Sequence, residues 1–371
     1  MIVDVDGSYE RLIALHGGQY FRFDSEHGTA LNLFYGCADV VREDGTIDPM
    51  KMMSMVAVLE SLLVESDRPS LRNQEKYVLE KAIVAVYADA CETPILEDLV
   101  EVLKTGSFED DEDIIAAKSM AKALRYWTEG SYAWLLNRRS SIRMDSVVVG
   151  FDLKSVDKAV LTPVLIIIFG MIWEFAEKHR GTQKIALLDE SWRLMSTSIA
   201  AQFVNEAFRT SRRMRLAILA IVHSPKDFQD IPDAKALLEC ADTAYLLKQG
   251  GECREAAKVF ELNECEDAAL QNLYFERGKY SEVLVLSGEK NHFVARITLT
   301  PLEYWVSTTH PPDIRGLKQV QASMPNASLL RQLEQCAVLW PRGVDYTEAL
   351  TVGDAFTGTE ENHAPRARQS T

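Results

Sequence analysis

What this chain lacks narrows it first. No phosphate loop of the form G-x-x-x-x-G-K-[ST] occurs anywhere in its 371 residues. Nucleotide affinity in loop-bearing enzymes rests on the loop's backbone amides and its Lys, so these residues cannot build such a cradle by themselves. No C-x-x-C is present, and the six cysteines (37, 91, 240, 253, 265, 336) follow no regular spacing. That argues against a zinc or disulfide framework and reads as reduced thiols of a cytosolic protein. The opening residues, Met1-Ile2-Val3-Asp4-Val5-Asp6, carry no positive region and no cleavage pattern, so no secretory signal is expected. The uncharged run from Ala159 to Trp173 is shorter than the ~20 apolar residues of a membrane span. Glu174, Glu177 and Lys178 close it, and a buried helix is the expectation. Positive charge is also in short supply. A formal net charge of -15 speaks against wholesale wrapping of nucleic acid, though it leaves room for a local basic surface.

What is present is enough apolar material for a large core, at 47% hydrophobic residues. The length suits one large α/β domain with an insertion, or two domains. Ile2 to Val5 reads as a strand. Gly7-Ser8-Tyr9 turns it into a helix with Ser8 as N-cap, and Gly17-Gly18 ends that helix. Tyr20 to Phe23 alternates as a second strand. From Pro49 to Asn137 the period becomes helical, with Met52, Met55, Val56, Leu59, Leu62 and Leu63 on one face. The acidic run 109–113 interrupts it. A solvated loop or helix start explains that run better than a metal site, because it has no Gly turn like that of a calcium loop. Strands follow at 146–152, at Ile185, at 216–222 and at 243–247, with a helix from Ile199 to Arg213. Val283 to Leu286 and Phe293 to Thr300 read as a closing hairpin. A short helix is expected at 328–338, and the polar tail 353–371 as disordered. Strand and helix in alternation predict a parallel sheet with helices on both faces.

The chemistry concentrates after one apolar strand. Ile185-Ala186-Leu187-Leu188 delivers Asp189 and then Glu190 to a strand's carboxyl end. There a carboxylate can hold the water shell of Mg²⁺, and its neighbour can polarise an attacking water. Acids also follow apolar strands simply because strands end at surfaces. Arg209, Arg212 and Arg213 have the i, i+3, i+4 spacing of one helix face. They could meet a neighbouring subunit's γ-phosphate or simply suit a solvated helix end, and Arg213 or Arg215 could instead contact phosphate or DNA.

Several ordered segments carry a resemblance. Leu187-Leu188-Asp189-Glu190-Ser191-Trp192-Arg193-Leu194 closely resembles the Walker B segment of the TraC-like ATPases of conjugative type IV secretion systems. These are RecA-like motors related to larger DNA-pumping ATPases. Val3-Asp4-Val5-Asp6-Gly7-Ser8-Tyr9 resembles the family's strand just after its phosphate-loop helix, with Asp6 where Gly is frequent. Gly17-Gly18-Gln19-Tyr20 and Asn32-Leu33-Phe34 match the next landmarks, with Leu33 in place of a usual Pro. Phe151-Asp152-Leu153, Leu246-Leu247-Lys248-Gln249 and Tyr280-Ser281-Glu282-Val283 resemble later strands.

The resemblance implies a RecA-like P-loop NTPase sheet (1–48 and 146–313), a helical insertion (49–145) and a C-terminal helix with a tail (314–371). It implies ATP and Mg²⁺ as cofactors of the complete enzyme, with Asp189 holding Mg²⁺ through water and Glu190 as general base. Arg209 or Arg212 would act across a subunit boundary. His223 stands where related motors place a Gln as γ-phosphate sensor, and Gln249 would lie near the subunit interface. A ring of identical subunits is implied, cytoplasmic and peripheral to the inner membrane. Its implied partners are other secretion components, and nucleic acid is an indirect substrate. The family's phosphate loop would lie just upstream of Met1. The chain is therefore expected to be the later part of a larger gene product, a separate non-catalytic assembly subunit, or a remnant. In each case it is expected not to turn over ATP alone.

Overall fold

Strand–helix alternation becomes a five-stranded parallel sheet in the computed structural model, which describes residues 1–24, 28–36, 40–42, 46–64, 68, 70–89, 92–195, 198–224, 238, 240–288 and 291–344. The strands are β1 (Ile2–Asp4), β2 (Gln19–Arg22), β3 (Val149–Asp152), β4 (Lys184–Leu188) and β5 (Leu216–Ala220), ordered β2-β3-β1-β4-β5. Each pairing is parallel, so all five carboxyl ends lie along one edge. The α/β fold expected from the sequence is the observed one. The tail at 353–371 lies outside the described residues.

Helix α1 (Glu10–Leu15) links β1 to β2. The insertion between β2 and β3 holds α2 (Pro49–Leu63), α3 (Asn73–Asp89), α4 (Leu96–Thr105), α5 (Asp111–Thr128) and α6 (Ala133–Leu136). Asp48 starts α2 by accepting from the amides of Met50 and Lys51, with Pro49 at the first position. The acidic run starts α5, whose Asp113 is buried and accepts from Gln74. Helix α7 (Lys158–Lys178) crosses from β3 to β4, and α8 (Ser198–Ser211) from β4 to β5. Phe169 of α7 meets Phe203 of α8 edge to face at 5.5 Å, so these two helices cover the same face. Helix α7 is longer than its apolar run and has the length and hydropathy of a membrane span. Yet 72% of its apolar window is buried within the fold, which makes it a core helix.

Register sets what each face carries. Ile2 is opposite both Gly150 and Leu187, Leu187 is opposite Leu219, and Ile185 is opposite Ala217. These residues share the face that α1 covers only in part. Ile13 of α1 and Tyr20 press on Gly150, where an added Cβ would meet Tyr20 Cδ2 at 2.7 Å and clash with Ile13. Further along, the same face is open: Ile185 is 61% and Leu219 45% exposed.

Some local expectations need correction. Ser8 does not cap α1; the cap position is Tyr9 without a side-chain bond, and the Asp4 carboxylate accepts from the amides of Ser8 and Tyr9. The strand expected from 146 begins at Val149, and Val147 is fully exposed. The helix expected to reach Arg213 stops at Ser211. A 3-10 turn, Arg212–Met214, follows, with Arg215 in left-handed backbone at φ 53°. Arg212 and Arg213 therefore do not share an α-helical face with Arg209.

The chain divides into two units: Met1–Leu273 with Leu284–Val294, and Tyr274–Val283 with the described residues from Ala295 on. The first also contains β6 (Thr243–Leu247), α9 (Cys253–Val259) and α10 (Glu264–Gln271). Strand β7 (Phe275–Glu276) pairs antiparallel with β8 (Tyr280–Ser287), and β9 (Asn291–Thr298) pairs with β8 as the hairpin expectation required. Helices α11 (Pro301–Ser307), α12 (Pro311–Ser323) and α13 (Leu329–Leu339) follow. Only α13 was legible beforehand, although Thr300, Pro301 and Glu303 form a capping box that announces α11.

One carboxylate organises the second unit. Asp313 is fully buried and accepts from Arg277 Nη2 (2.8 and 2.9 Å), Tyr304 OH (2.6 Å), Thr308 Oγ1 (2.7 Å) and the Val344 amide (2.7 Å). Burial works to raise its pKa. The bonds from Tyr304, Thr308, Val344 and Arg277 outweigh it and hold the carboxyl below the usual range.

Two outcomes are expected. Gly150→Ala should lower the urea-unfolding free energy by about 1–3 kcal/mol through overpacking against Ile13 and Tyr20. Asp313→Asn should destabilise the second unit by about 3 kcal/mol, because it leaves Arg277 without its counter-charge. A depressed carboxyl stabilises fully above its unfolded value of about 4 and loses that contribution as pH falls through the folded value. Acid titration of the wild type, followed by Trp305 fluorescence, should therefore show a loss that the Asn variant lacks.

Candidate functional site

At the end of β4 the chain turns out of the sheet. The Asp189 amide still pairs with Val3 O of β1 at 3.3 Å, and the residue is 9% exposed. Glu190 then adopts left-handed backbone, φ 51°. For a residue with a Cβ this costs ~1–2 kcal/mol, and it tips the chain out of the strand into the 3-10 turn Ser191–Met195. Ser191 fastens that turn to the segment after β5: its amide and its Oγ both donate to Ile221 O, at 3.2 and 3.0 Å. The Glu190 amide donates to Asp189 Oδ1 at 3.1 Å.

The Glu190 side chain is held from two sides. His223, three residues beyond β5, places Nε2 3.0 Å from Oε1, and Arg193 of the following turn places Nε 3.8 Å from Oε2. Glu190 is largely buried, whereas the imidazole is 66% exposed and covers it toward solvent. Burial pushes the Asp189 carboxyl above the usual range. The charges of Asp6 and Glu190 add to this, and the Glu190 amide and His223 oppose it. A cation beside Asp189 would relieve that strain. Mg²⁺ needs only one or two protein carboxylates when waters and phosphates complete its shell. No cage of three or more ligating side chains exists among the described residues.

The same sheet edge carries two more strand-end acids. Asp4 of β1 is fully buried and accepts from Ser8 N (2.8 Å), Tyr9 N (2.9 Å) and Tyr20 OH (2.7 Å). Burial and the Asp4 bond push the Tyr20 hydroxyl far up, and burial with the charges of Asp189 and Asp4 raises Tyr9. Asp152 of β3 accepts from the Lys154 amide at 3.0 Å. Burial raises its carboxyl, and Asp4 and Glu10 add to the rise against that amide and Arg22.

Of the residues singled out from sequence, Asp189, Glu190 and His223 come together. Arg209 and Arg212 are exposed, one on the last turn of α8 and the other in the 3-10 turn after it. About 15 Å of helical rise separates Arg209 from the start of α8. Gln249, two residues beyond β6, spends its amide on Leu247 O at 3.0 Å. Sequence reasoning passed over Asp4 and Arg193. An acid inside an apolar strand was the available signal for Asp4. Arg193 follows Glu190 by three residues, the spacing that a single turn closes.

The left-handed backbone at Glu190 generates a direct test. Glu190→Ala and Glu190→Gly both delete the carboxylate, but only Gly relieves the backbone. Glu190→Gly should be the more stable of the two by about 1 kcal/mol in chemical denaturation. Equal stabilities would show that the turn stores no strain.

Known proteins share the fold. The type IV secretion system protein virB4 of Bartonella quintana (strain Toulouse) is 22% identical over 243 residues, which are 64% of this chain and 29% of that protein. The chain thus spans less than a third of the length of this relative. The structure of VirB4 of Thermoanaerobacter pseudethanolicus superposes with a TM-score of 0.65 at 20% identity, covering 81% of this chain and 82% of that one. The plasmid coupling protein TrwB, in complex with the non-hydrolysable ATP analogue ADPNP, does so with a TM-score of 0.51 at 11% identity, covering 80% and 84%. These structures agree on the fold, a parallel sheet clothed by helices. Residues 1–335 match the TraG P-loop domain profile, and the chain belongs to the TraG P-loop domain family.

Proposed function

We propose that this chain carries the acid half of the ATP-hydrolysing site in a motor subunit of a type IV secretion apparatus, one that energises pilus assembly and substrate export. The observation that carries the reading is Glu190. It is presented at the carboxyl end of the parallel strand β4, in a backbone conformation that only a constrained turn maintains, and is held by a residue from beyond the next strand. TrwB has been seen with an ATP analogue, which supports a nucleotide as the ligand of this fold.

Bound ATP with Mg²⁺ would supply the transferable phosphoryl group and neutralise its charge. Asp189 would hold that cation through its water shell. Glu190 takes the proton of the attacking water once its carboxylate leaves His223, and His223 can donate to a γ-phosphate oxygen. Arg209 or Arg212, exposed at the end of α8, would reach a neighbouring subunit's phosphate in a ring, with Gln249 near that boundary. Other inner-membrane secretion components are the expected partners. The working position is the cytoplasmic side of the membrane, with nucleic acid met only indirectly.

The phosphate cradle has to come from outside these residues, and the sheet supports a place for it. Among the described residues β5 pairs only with β4. A parallel strand added at β5 would end on the same edge as Asp189 and Glu190. A right-handed crossover from it to β1 would lay a helix over Ile185, Ala217 and Leu219, the open part of the α1 face. The absent phosphate loop also favours a second reading, a non-catalytic assembly subunit of the same machine.

Purified as it stands, the chain should show no turnover of radiolabelled ATP. A longer form carrying an in-frame G-x-x-x-x-G-K-[ST] upstream of Met1 should hydrolyse it, and Glu190→Gln in that form should lower kcat by about 10²–10⁴. Turnover by the present chain that vanishes with Glu190→Gln would contradict the need for an added cradle. A longer form that stays inactive would favour the assembly subunit.

A further inference from the structure

Glu60 is a carboxylate that the proposed chemistry leaves unused and that the fold buries completely. It sits one turn from the end of α2. Its Oε1 accepts the Leu71 amide at 3.0 Å, just ahead of α3. Its Oε2 accepts the Ile199 amide at 3.4 Å, in the first turn of α8. Lys76 of α3 brings Nζ to 3.5 Å from Oε1. Three helices thus meet on one charged group. A buried ion pair seldom adds net stability over an apolar replacement, whereas it does specify which segments must meet. The amides at a helix start favour an anion, and here that anion comes from 139 residues away.

We propose that Glu60 is a positioning residue that couples the helical insertion to the acid site, by fixing the start of α8 against α2 and α3. The connection to the site is short. Glu190 leads into the turn Ser191–Met195, whose head is tied to Ile221 O by Ser191, and α8 begins at Ser198. Helix α8 is packed along its length, with Ala200, Ala201, Phe203, Val204 and Ala207 all buried. A displacement of α2 or α3 at Glu60 therefore reaches the turn that orients Glu190, and through α8 it reaches Arg209. This coupling needs no nucleotide and goes beyond the hydrolytic reading. An inactive chain would leave it standing.

Hydrogen–deuterium exchange on the full chain, without nucleotide, tests it. Glu60→Ala should accelerate amides in Ile199–Val204 by at least about tenfold, the factor that one lost buried hydrogen bond implies. Lys76→Met alters only the insertion side and should accelerate the same amides to a smaller extent. Glu60→Gln keeps one acceptor oxygen and should recover part of the protection. Peptides of β3 and of the second unit should stay unchanged in all three. Changes confined to residues 60–76 would overturn the proposal, and so would a uniform acceleration across all peptides, which would show mere loss of stability. If Glu60→Ala does not fold, the Lys76→Met and Glu60→Gln comparison decides alone.

Discussion

The pairing of β1 with β4 is the constraint on which the site depends. The Leu187 amide bonds Met1 O at 2.9 Å and the Asp189 amide bonds Val3 O at 3.3 Å. This brings together two segments separated by more than half the chain and aligns their carboxyl ends. A parallel ladder leaves no choice of edge: strands that run the same way finish on the same side. Asp4, Asp152 and Asp189 therefore converge on one rim without any local signal to gather them. Burial raises the carboxyls of Asp152 and Asp189, and the charges of neighbouring acids add to it. A rim of partly desolvated acids suits a ligand that brings cationic charge.

Stability and chemistry pull against each other at Glu190. A glycine would sit there at no conformational cost, and the chain instead keeps a side chain in left-handed backbone. The strain is opposed by the bonds around it: the amide on Asp189, the carboxylate between His223 and Arg193, and Ser191 on Ile221 O. Those bonds also explain why His223 belongs with the acids. It stands beyond the strand next to β4, so the sheet's order alone delivers it. Its imidazole is 66% exposed, so solvent can replace Glu190 as its partner.

Much of this was legible in the sequence because it is local. The apolar run 185–188 followed by two acids reads as a strand that ends in paired carboxylates, and Thr243 to Leu247 reads as a strand to the residue. Expectations failed where a distant group intervened. Ser8 looks like a cap, and the buried Asp4 takes its amide instead. Arg209, Arg212 and Arg213 have helical spacing, but the helix tightens into a 3-10 turn after Ser211. Helices α9 to α11 escaped notice since short helices carry little periodicity, even where caps such as Asn263 and Thr300 mark their starts.

By itself the sequence determined the fold class, the helical insertion and the identity of the acid pair. Each of these follows from hydrophobic period and from residue order along one segment. Only the tertiary structure decided that Glu190 is strained, that His223 and Arg193 hold it, and that Glu60 ties the insertion to α8. It also decided which part of the sheet stays open, at Ile185 and Leu219. The physical reason is shared: these features depend on pairing order, register and crossover hand, which bring residues from remote parts of the chain to one place.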